Sequence, residues 1–405
     1  MNPQSIGKEL NVGALLTGKI TELGKTLIVQ ADLIDTTNGS VLWGDHYNRS
    51  ISDILAIQDD IAAEIARHLR TRFSPQEVAK GQTKDPQAYQ LYLKGRYEGA
   101  KRTADDYWRA IDLFDQAIRR DPNYALAYAS LASVYSSLEI WAGVKPSDAY
   151  PKAKAAALKA LQLDDTLSEA HTALGLFYNQ YDFNWDAAER EYRRAIALNP
   201  NYANAHYDLS LLLLSTGHGD EALREDRTAM QLDPLNFVIV GGEGWLLHML
   251  RRQEEAIASL QKALELEDHF FIRQSLGEAY DFKGDYANAI ANLQIAVDES
   301  HRAARTLGAL AHAYARAARR SEALSLIDEM TRQGRQNPVV AYHIALGYAG
   351  LGDANQTINW LERAYAARSR WLIYANVDPR FDVVAHDARY LDLLHRLGLR
   401  QYAAQ

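Results

Sequence analysis

The chain has 405 residues, 47% hydrophobic and 24% charged, an ordinary balance for a folded soluble protein. Its net charge of −8 argues against a broad nucleic-acid surface, which needs a basic stripe. With no cysteine, disulfides and thiolate metal sites are excluded.

The opening MNPQSIGKEL lacks the basic and then apolar character of a leader, and Pro3–Leu10 reads as a short helix. Three runs rich in Val, Ile, Leu and Thr follow, at about Ala14–Thr21, Leu27–Ile34 and Val41–Tyr47, and read as strands. Glu22-Leu23-Gly24-Lys25 and Asp35 to Ser40 supply the turns, with Asn38-Gly39 suited to positive φ. Short turns predict an antiparallel meander. Ser52 and Asp53 then open a helix to about Arg72, with Ile54, Ile57, Ile61, Ile65 and Leu69 on one face, which should lie on the sheet. Residues 1–73 thus read as a small α+β domain, and residues 74–85, poor in apolar side chains, as a linker.

From residue 86 to 368 the pattern is helix after helix. Ala117-Ile118, Ala160-Leu161, Ala195-Ile196, Ala229-Met230, Ala263-Leu264 and Ala296-Val297 recur at steps of 43, 35, 34, 34 and 33 residues. A period near 34 on a helical background predicts a solenoid of helix pairs. In the clearest unit, Asn201 to Pro234, Ala205 and Leu209 mark the first helix, Gly217 and Gly219 the turn, and Glu221-Ala222-Leu223 the start of the second. Leu174-Gly175-x-x-Tyr178 and Leu276-Gly277-x-x-Tyr280 repeat the arrangement. The 43-residue step predicts an insertion at 139–151, in the turn of the second unit. The most apolar run, Phe237 to Leu250, is too short to span a bilayer and carries Glu243 and three glycines, so no membrane insertion is expected. Trp371 to Leu399 departs from the repeat, and residues 369–405 read as a cap, with Asp378-Pro379-Arg380-Phe381 and Tyr390 to Leu394 folding back.

L-G-x-x-Y, then E-A-I/L, then A-I-x-L-x-P at this period resemble the tetratricopeptide repeat, in about eight units over some 70% of the chain. The resemblance implies a mainly α superhelix behind the three-stranded sheet, with the first helix of each unit lining a concave wall. Aligned on that pattern, the wall carries Tyr207, Trp245, His248, Gln274, Glu278, Asp281, Phe282, His312, Arg316 and Tyr342. Aromatic and polar groups alternate, which suits an extended peptide or helix of a protein partner. Trp245 and Phe282 read equally well as packing between helices. The lysines with which chaperone-binding members hold a terminal carboxylate are missing from the corresponding places, among them Asn204, Tyr207, Leu211, Gly241 and Trp245.

Leu16-x-Gly18, Asp35-x-x-x-Gly39-x-x-Leu42-Trp43, Tyr47-x-Arg49 and Ile57-Gln58-Asp59-x-Ile61-Ala62 are similar to a domain of bacterial signalling proteins. There it follows an adenylate cyclase, a Ser/Thr kinase or a winged-helix module, and tetratricopeptide repeats commonly come after it. The family's domain begins with a strand and a helix that have no counterpart before Pro3, so a truncated sheet with a free edge or a part-exposed face is expected, and with it pairing through residues 1–73, as a homodimer or with a partner that supplies the missing strand.

Motifs for chemistry are lacking: no phosphate-binding G-x-x-x-x-G-K-[ST], no H-E-x-x-H, no G-x-S-x-G. Gly241-Gly242-Glu243-Gly244 reads as close helix packing or, alternatively, a ligand loop. His171 and His206 sit at equivalent positions one unit apart, where they are placed to meet, as packing groups rather than metal ligands. Arg251-Arg252 and Arg319-Arg320 read as solvated turns or an acidic-peptide contact. The expectation is a non-catalytic interaction scaffold without cofactor or metal, from a bacterial signalling or regulatory protein. The alternative is a stand-alone adaptor. The expected location is cytoplasmic, or periplasmic if an upstream membrane helix exists.

Overall fold

The computed structural model describes residues 2–10, 12–24, 26–54, 56–58, 60–61, 83–334 and 338–399. Helix α1 (Pro3–Leu10) precedes three antiparallel strands in the order β1 (Ala14–Leu23), β2 (Thr26–Asp35), β3 (Val41–Ser50). The turns fall at Gly24 and Gly39, whose φ of 65° and 76° disfavour a side chain. Alternation works most clearly in β2: Leu27, Val29, Ala31 and Leu33 are buried on one face, where Tyr47 and Ile57 join them. β1 is an edge, and Leu16 and Ile20 stay 51% and 71% exposed on it. The expected helix from Ser52 is helical at 54, 56–58 and 60–61; its remainder and most of the 74–85 linker lie outside the described residues.

Sixteen helices then run in antiparallel pairs: α2 (Pro86–Ala100) with α3 (Ala104–Arg120), α4 (Ala125–Ala142) with α5 (Pro146–Leu163), α6 (Ser168–Phe177) with α7 (Trp185–Leu198), and α8 (Ala203–Ser215) with α9 (Gly219–Leu232). The second half continues with α10 (Phe237–Met249) and α11 (Gln253–Leu266), α12 (Phe270–Lys283) and α13 (Tyr286–Glu299), α14 (Ala304–Arg316) and α15 (Arg320–Gly334), α16 (Ala341–Gly350) and α17 (Ala354–Ala366). The Asp85 carboxylate caps α2, accepting from the Gln87 and Ala88 amides, with Pro86 at the first helical position where no amide is needed. The repeating L-G has a steric cause. A Cβ on Gly175 would stand 2.6 Å from the Tyr192 ring, and one on Gly277 2.6 Å from Leu293, so only glycine lets the two helices of a unit close.

The sequence reading of an insertion at 139–151 needs correction. Both helices of that pair are simply longer, 18 residues each, and the turn is only Gly143 to Lys145. Gly143 ends α4 in the left-handed region and Pro146 starts α5, while Pro151, which reads as a breaker, sits inside α5. The added turns carry Glu139 and Trp141 toward the concave side, where both gain partners described below.

After α17 the chain forms 3-10 turns at Arg370–Tyr374 and Pro379–Val384, then α18 (Ala388–Arg396), which buries Tyr390, Leu393 and Leu394 beside the last pair. This tail also reaches back to the third pair. Arg368 donates to the Tyr181 carbonyl at 2.8 Å, and the Trp185 indole donates to the Leu397 carbonyl at 2.9 Å. The superhelix is therefore tied across its own groove. Among the described residues no helix is long and apolar enough to cross a membrane.

Candidate functional site

The concave wall has two halves. In the C-terminal half, the side chains named from the sequence meet the chain's own tail. Trp245 on α10 stands edge-on to Tyr374, ring centres 4.7 Å apart. Tyr342 on α16 donates to Asp378 at 2.8 Å and packs edge-on to Phe381. Glu278 on α12 accepts from Arg380 at 2.7 Å and, at the same distance, from Gln274, whose own oxygen accepts from Arg305 on α14 at 2.8 Å. Arg380 closes the network with two further bonds to Asp378, at 2.7 and 2.8 Å. Burial raises the Asp378 carboxyl, but Arg380 outweighs it and holds the group below the usual carboxylate range. His248 is fully buried, its Nδ1 2.9 Å from the Gln253 oxygen, and burial lowers its pKa. Asp281 and His312 pair across units at 2.5 Å. Phe282 is half-buried between Arg251 and Arg316, and of the ten named residues Arg316 alone is exposed.

The periodicity thus brings most of these side chains to one surface, but the surface is already occupied. The sequence reading had Asp378 to Phe381 folding back as a cap but did not seat them in the groove, and it missed the anchors Arg370 and Tyr374. The one available signal was the charged D-P-R-F in a stretch that had lost the repeat.

In the N-terminal half the wall encloses a cavity of about 380 Å³. Its walls are aromatic: Tyr92, Tyr107, Trp141 and Tyr207 from the repeats, Trp371 and Tyr374 from the root of the tail. Four arginines line it, Arg96, Arg102, Arg305 and Arg370, against two carboxylates, Glu169 and Asp208. Arg102 sits at a φ of 58°, rare for a residue with a side chain, and stacks over the Trp141 and Phe237 rings. Arg305 lies over Trp371 at 5.0 Å, and burial lowers its pKa to about 10. Arg370 is 8% exposed. Its backbone amide donates to Glu139 at 3.2 Å, whereas its Nε has no hydrogen-bond partner among the described residues. Burial raises the Asp208 carboxyl to about 7, against the pull of Arg370 and Arg102, and burial likewise raises Glu139 to about 7. Asp208 is half-buried and lines the cavity. Tyr178–Asp182 forms a π-helical turn that adds Gln180 to the lining, where it accepts from Tyr150 at 3.0 Å.

The remaining candidates resolve into packing. His171 and His206 do not meet: each binds a glutamate of its own unit, Glu191 and Glu225, at 2.6 Å. No group of three metal-ligating side chains occurs among the described residues. The four residues from Gly241 to Gly244 lie inside α10, where a Cβ on Gly242 would meet the Tyr207 ring at 2.6 Å; they serve close packing, not a loop. Arg251 binds Asp382 of the tail through two bonds of 2.6 and 2.7 Å, while Arg252 and Arg319 pair with glutamates three residues on.

Helix pairs at a 34-residue step, glycines at the intra-unit contact and a concave wall of first helices define a tetratricopeptide-repeat array behind a three-stranded antiparallel sheet. No protein-family model matches the chain. It is 29% identical over 178 residues to a protein named as adenylate cyclase 3 in Rhizobium meliloti (strain 1021), covering 43% of this chain and 30% of that protein. It is also 29% identical over 144 residues to the transcriptional regulator HilA of Salmonella typhimurium, covering 36% of this chain and 26% of the regulator. The matched parts thus make up less than a third of either relative. Among solved structures, the APC/C hetero-tetramer Cut9-Hcn1 is similar with a TM-score of 0.52 at 17% identity, over 77% of this chain and 55% of that one, a likeness of fold.

Proposed function

We propose that the chain is a non-catalytic protein–protein interaction scaffold, the sensory or interaction region of a bacterial signalling or transcription-regulatory protein. Its concave wall receives an extended segment of a partner. The observation that carries this reading is that the wall already holds such a segment. Residues 371–382 lie along it through aromatic contacts at Trp245 and Tyr342 and charged contacts at Glu278 and Arg251. Aromatic anchors with polar groups setting register are how repeat grooves hold peptides. A partner segment takes the tail's place. The signalling half of the reading draws support from the names of the two relatives, a cyclase and a transcriptional regulator.

The test uses a labelled peptide copying residues 369–384 and fluorescence polarisation. Wild-type protein, its groove filled, should not take the peptide, and the double variant Tyr374→Ala/Arg380→Ala should bind it saturably. A variant whose tail amides exchange freely and that still ignores the peptide counts against a peptide groove. Sequencing the gene upstream of Met1 tests the signalling half: an in-frame output domain supports it, and a stop codon there favours a stand-alone adaptor.

The sheet supports a second contact. Leu16 and Ile20 are exposed on the edge strand β1, and an apolar edge is a template for pairing. We infer a homodimer through β1. Light scattering at high concentration should report a dimer that Ile20→Lys returns to monomer; a wild-type monomer throughout would refute it.

A further inference from the structure

The cavity toward the N-terminal half of the groove adjoins the surface the tail covers, sharing Trp245, Trp371 and Tyr374 with it, and the reading above does not use its space. We propose that it is a binding site for a small organic anion, with a carboxylate or phosphate head held by Arg370 and Arg102 and a flat body between the aromatic walls.

Size comes first. A volume of about 380 Å³ falls in the range of small-ligand sites, which are concave, mostly apolar and furnished with a few polar groups. Its lining meets that description, with Tyr107, Trp141 and Tyr207 from the repeats and Trp371 and Tyr374 from the tail.

Charge comes second. Four arginines face two carboxylates, so the lining is cationic although the whole chain carries −8. These charges feel one another without closing. Arg370 and Arg102 both act on Asp208, yet neither forms an ion pair with it within 4.0 Å among the described residues. Where the tail lies on the groove, by contrast, Arg380 is closed by Asp378 and Glu278, and Arg251 by Asp382. Arg370 lines the cavity, is only 8% exposed and has no hydrogen-bond partner for its buried Nε among the described residues, so it carries a desolvation cost that an anion bound beside it offsets. Guanidinium groups take carboxylate and phosphate with equal ease, by paired N–H donors. Asp208 stands beside the head, and its proton makes it a donor rather than a rival anion when it is neutral.

The site has a built-in readout. Arg370, Trp371 and Tyr374 are both the cavity wall and the root of the tail. A ligand that touches them binds the docked tail better than the released one, so occupancy and tail docking are linked.

The experiment titrates the full chain with two anionic probes, 3-phenylpropanoate and phenylphosphate, and one neutral probe, 3-phenylpropanamide. Tryptophan fluorescence and calorimetry report binding, and hydrogen exchange of residues 370–384 reports the tail. At least one anion should bind saturably near or below a millimolar Kd, and the amide about tenfold more weakly. The two anions separate a carboxylate head from a phosphate head. Arg102→Gln, at a half-exposed position outside the tail, should weaken the anion about tenfold with an unchanged melting profile; Arg370→Gln should do the same and also loosen the tail. Bound anion should slow exchange in 370–384. The proposal is overturned if neither anion binds below about 10 mM, if the amide binds as well as the acid, or if Arg102→Gln binds like wild type. None of these outcomes depends on whether the peptide enters the groove, so the two readings stand or fall separately.

Discussion

The two halves of the concave wall are made by the same repeat, and they end differently. In units five to eight two charged groups of the inner face, Glu278 and Arg251, are closed by groups of the tail far away in sequence. Glu278 meets Arg380 across 102 residues and Arg251 meets Asp382 across 131. Toward units one to four, Arg96, Arg102, Glu169 and Asp208 stand around a space that Arg305 of unit seven and Arg370 of the tail also line. Helix pairing therefore decides the shape of the wall, whereas the charges decide what fills it: a segment of the same chain where they match, a cavity where they do not.

The sharpest way to break this comparison is Arg380→Ala. It leaves Glu278 and Asp378 as buried carboxylates facing each other, 4% and 3% exposed. Removing one member of such a network costs about 3–5 kcal/mol. Urea unfolding should show a loss of that size, and hydrogen exchange should show residues 370–384 released. A loss below about 1 kcal/mol, the scale of an exposed pair, would mean that the tail is not seated in solution and that the two halves are alike.

A second pair of variants tests the sameness of the repeats beneath the difference. Gly175→Ala forces a Cβ into the Tyr192 ring in the first half, and Gly277→Ala forces one into Leu293 in the second. Overpacking of this kind costs about 1–3 kcal/mol. The two costs should agree in thermal melts. A much smaller cost in one half would show that the tail, not helix pairing, holds that half together.

How much of this was open to a reader of the sequence follows the reach of the signals. Strands and helix pairs were legible because their patterns repeat every two residues or every 34, and small residues such as Gly277 mark the contacts locally. The concave residues from Gln274 to Tyr342 were legible as a face for the same reason. Their occupant was not, since the 3-10 turns at Arg370–Tyr374 and Pro379–Val384 have no periodicity and their partners lie over a hundred residues away. The second unit misled because glycine and proline read as a long turn where they frame a three-residue one. Asp208 and Arg102 carried no mark at all: an unpaired charge announces itself only once a cavity surrounds it.

Asp208 offers a finer contrast. Its folded pKa, raised by burial to about 7, exceeds its unfolded value, so its contribution to stability is full below the ordinary carboxylate range and is lost as pH rises through 7. Asp208→Asn removes that dependence. Relative to wild type it should be more stable at pH 8 than at pH 5, by about 1 kcal/mol after discounting for the open side of the cavity. No matching effect is expected from Asp378, whose pKa is moved the other way by Arg380. Equal differences at both pH values would show that Asp208 is solvated and the cavity open to bulk water.

The smallest effect belongs to the histidines of the first half. His206 and Glu225, on the two helices of one unit, bond at 2.6 Å, and that bond raises the His206 pKa over the opposing effect of burial. In His171 burial opposes more strongly, and the bond to Glu191 still wins. A raised histidine pKa contributes stability in full below the unfolded value near 6.5 and loses it as pH climbs through the folded value. Both glutamates are partly exposed, so each pair is worth about 0.5–1 kcal/mol. His206→Gln should therefore cost stability at pH 6 and almost nothing at pH 9, with the wild-type His206 ring titrating above 6.5 by NMR. Because these pairs close within a unit, releasing them should leave tail exchange unchanged. A tail loosened by His206→Gln would show that the two halves are coupled through the repeats and not only through the root of the tail.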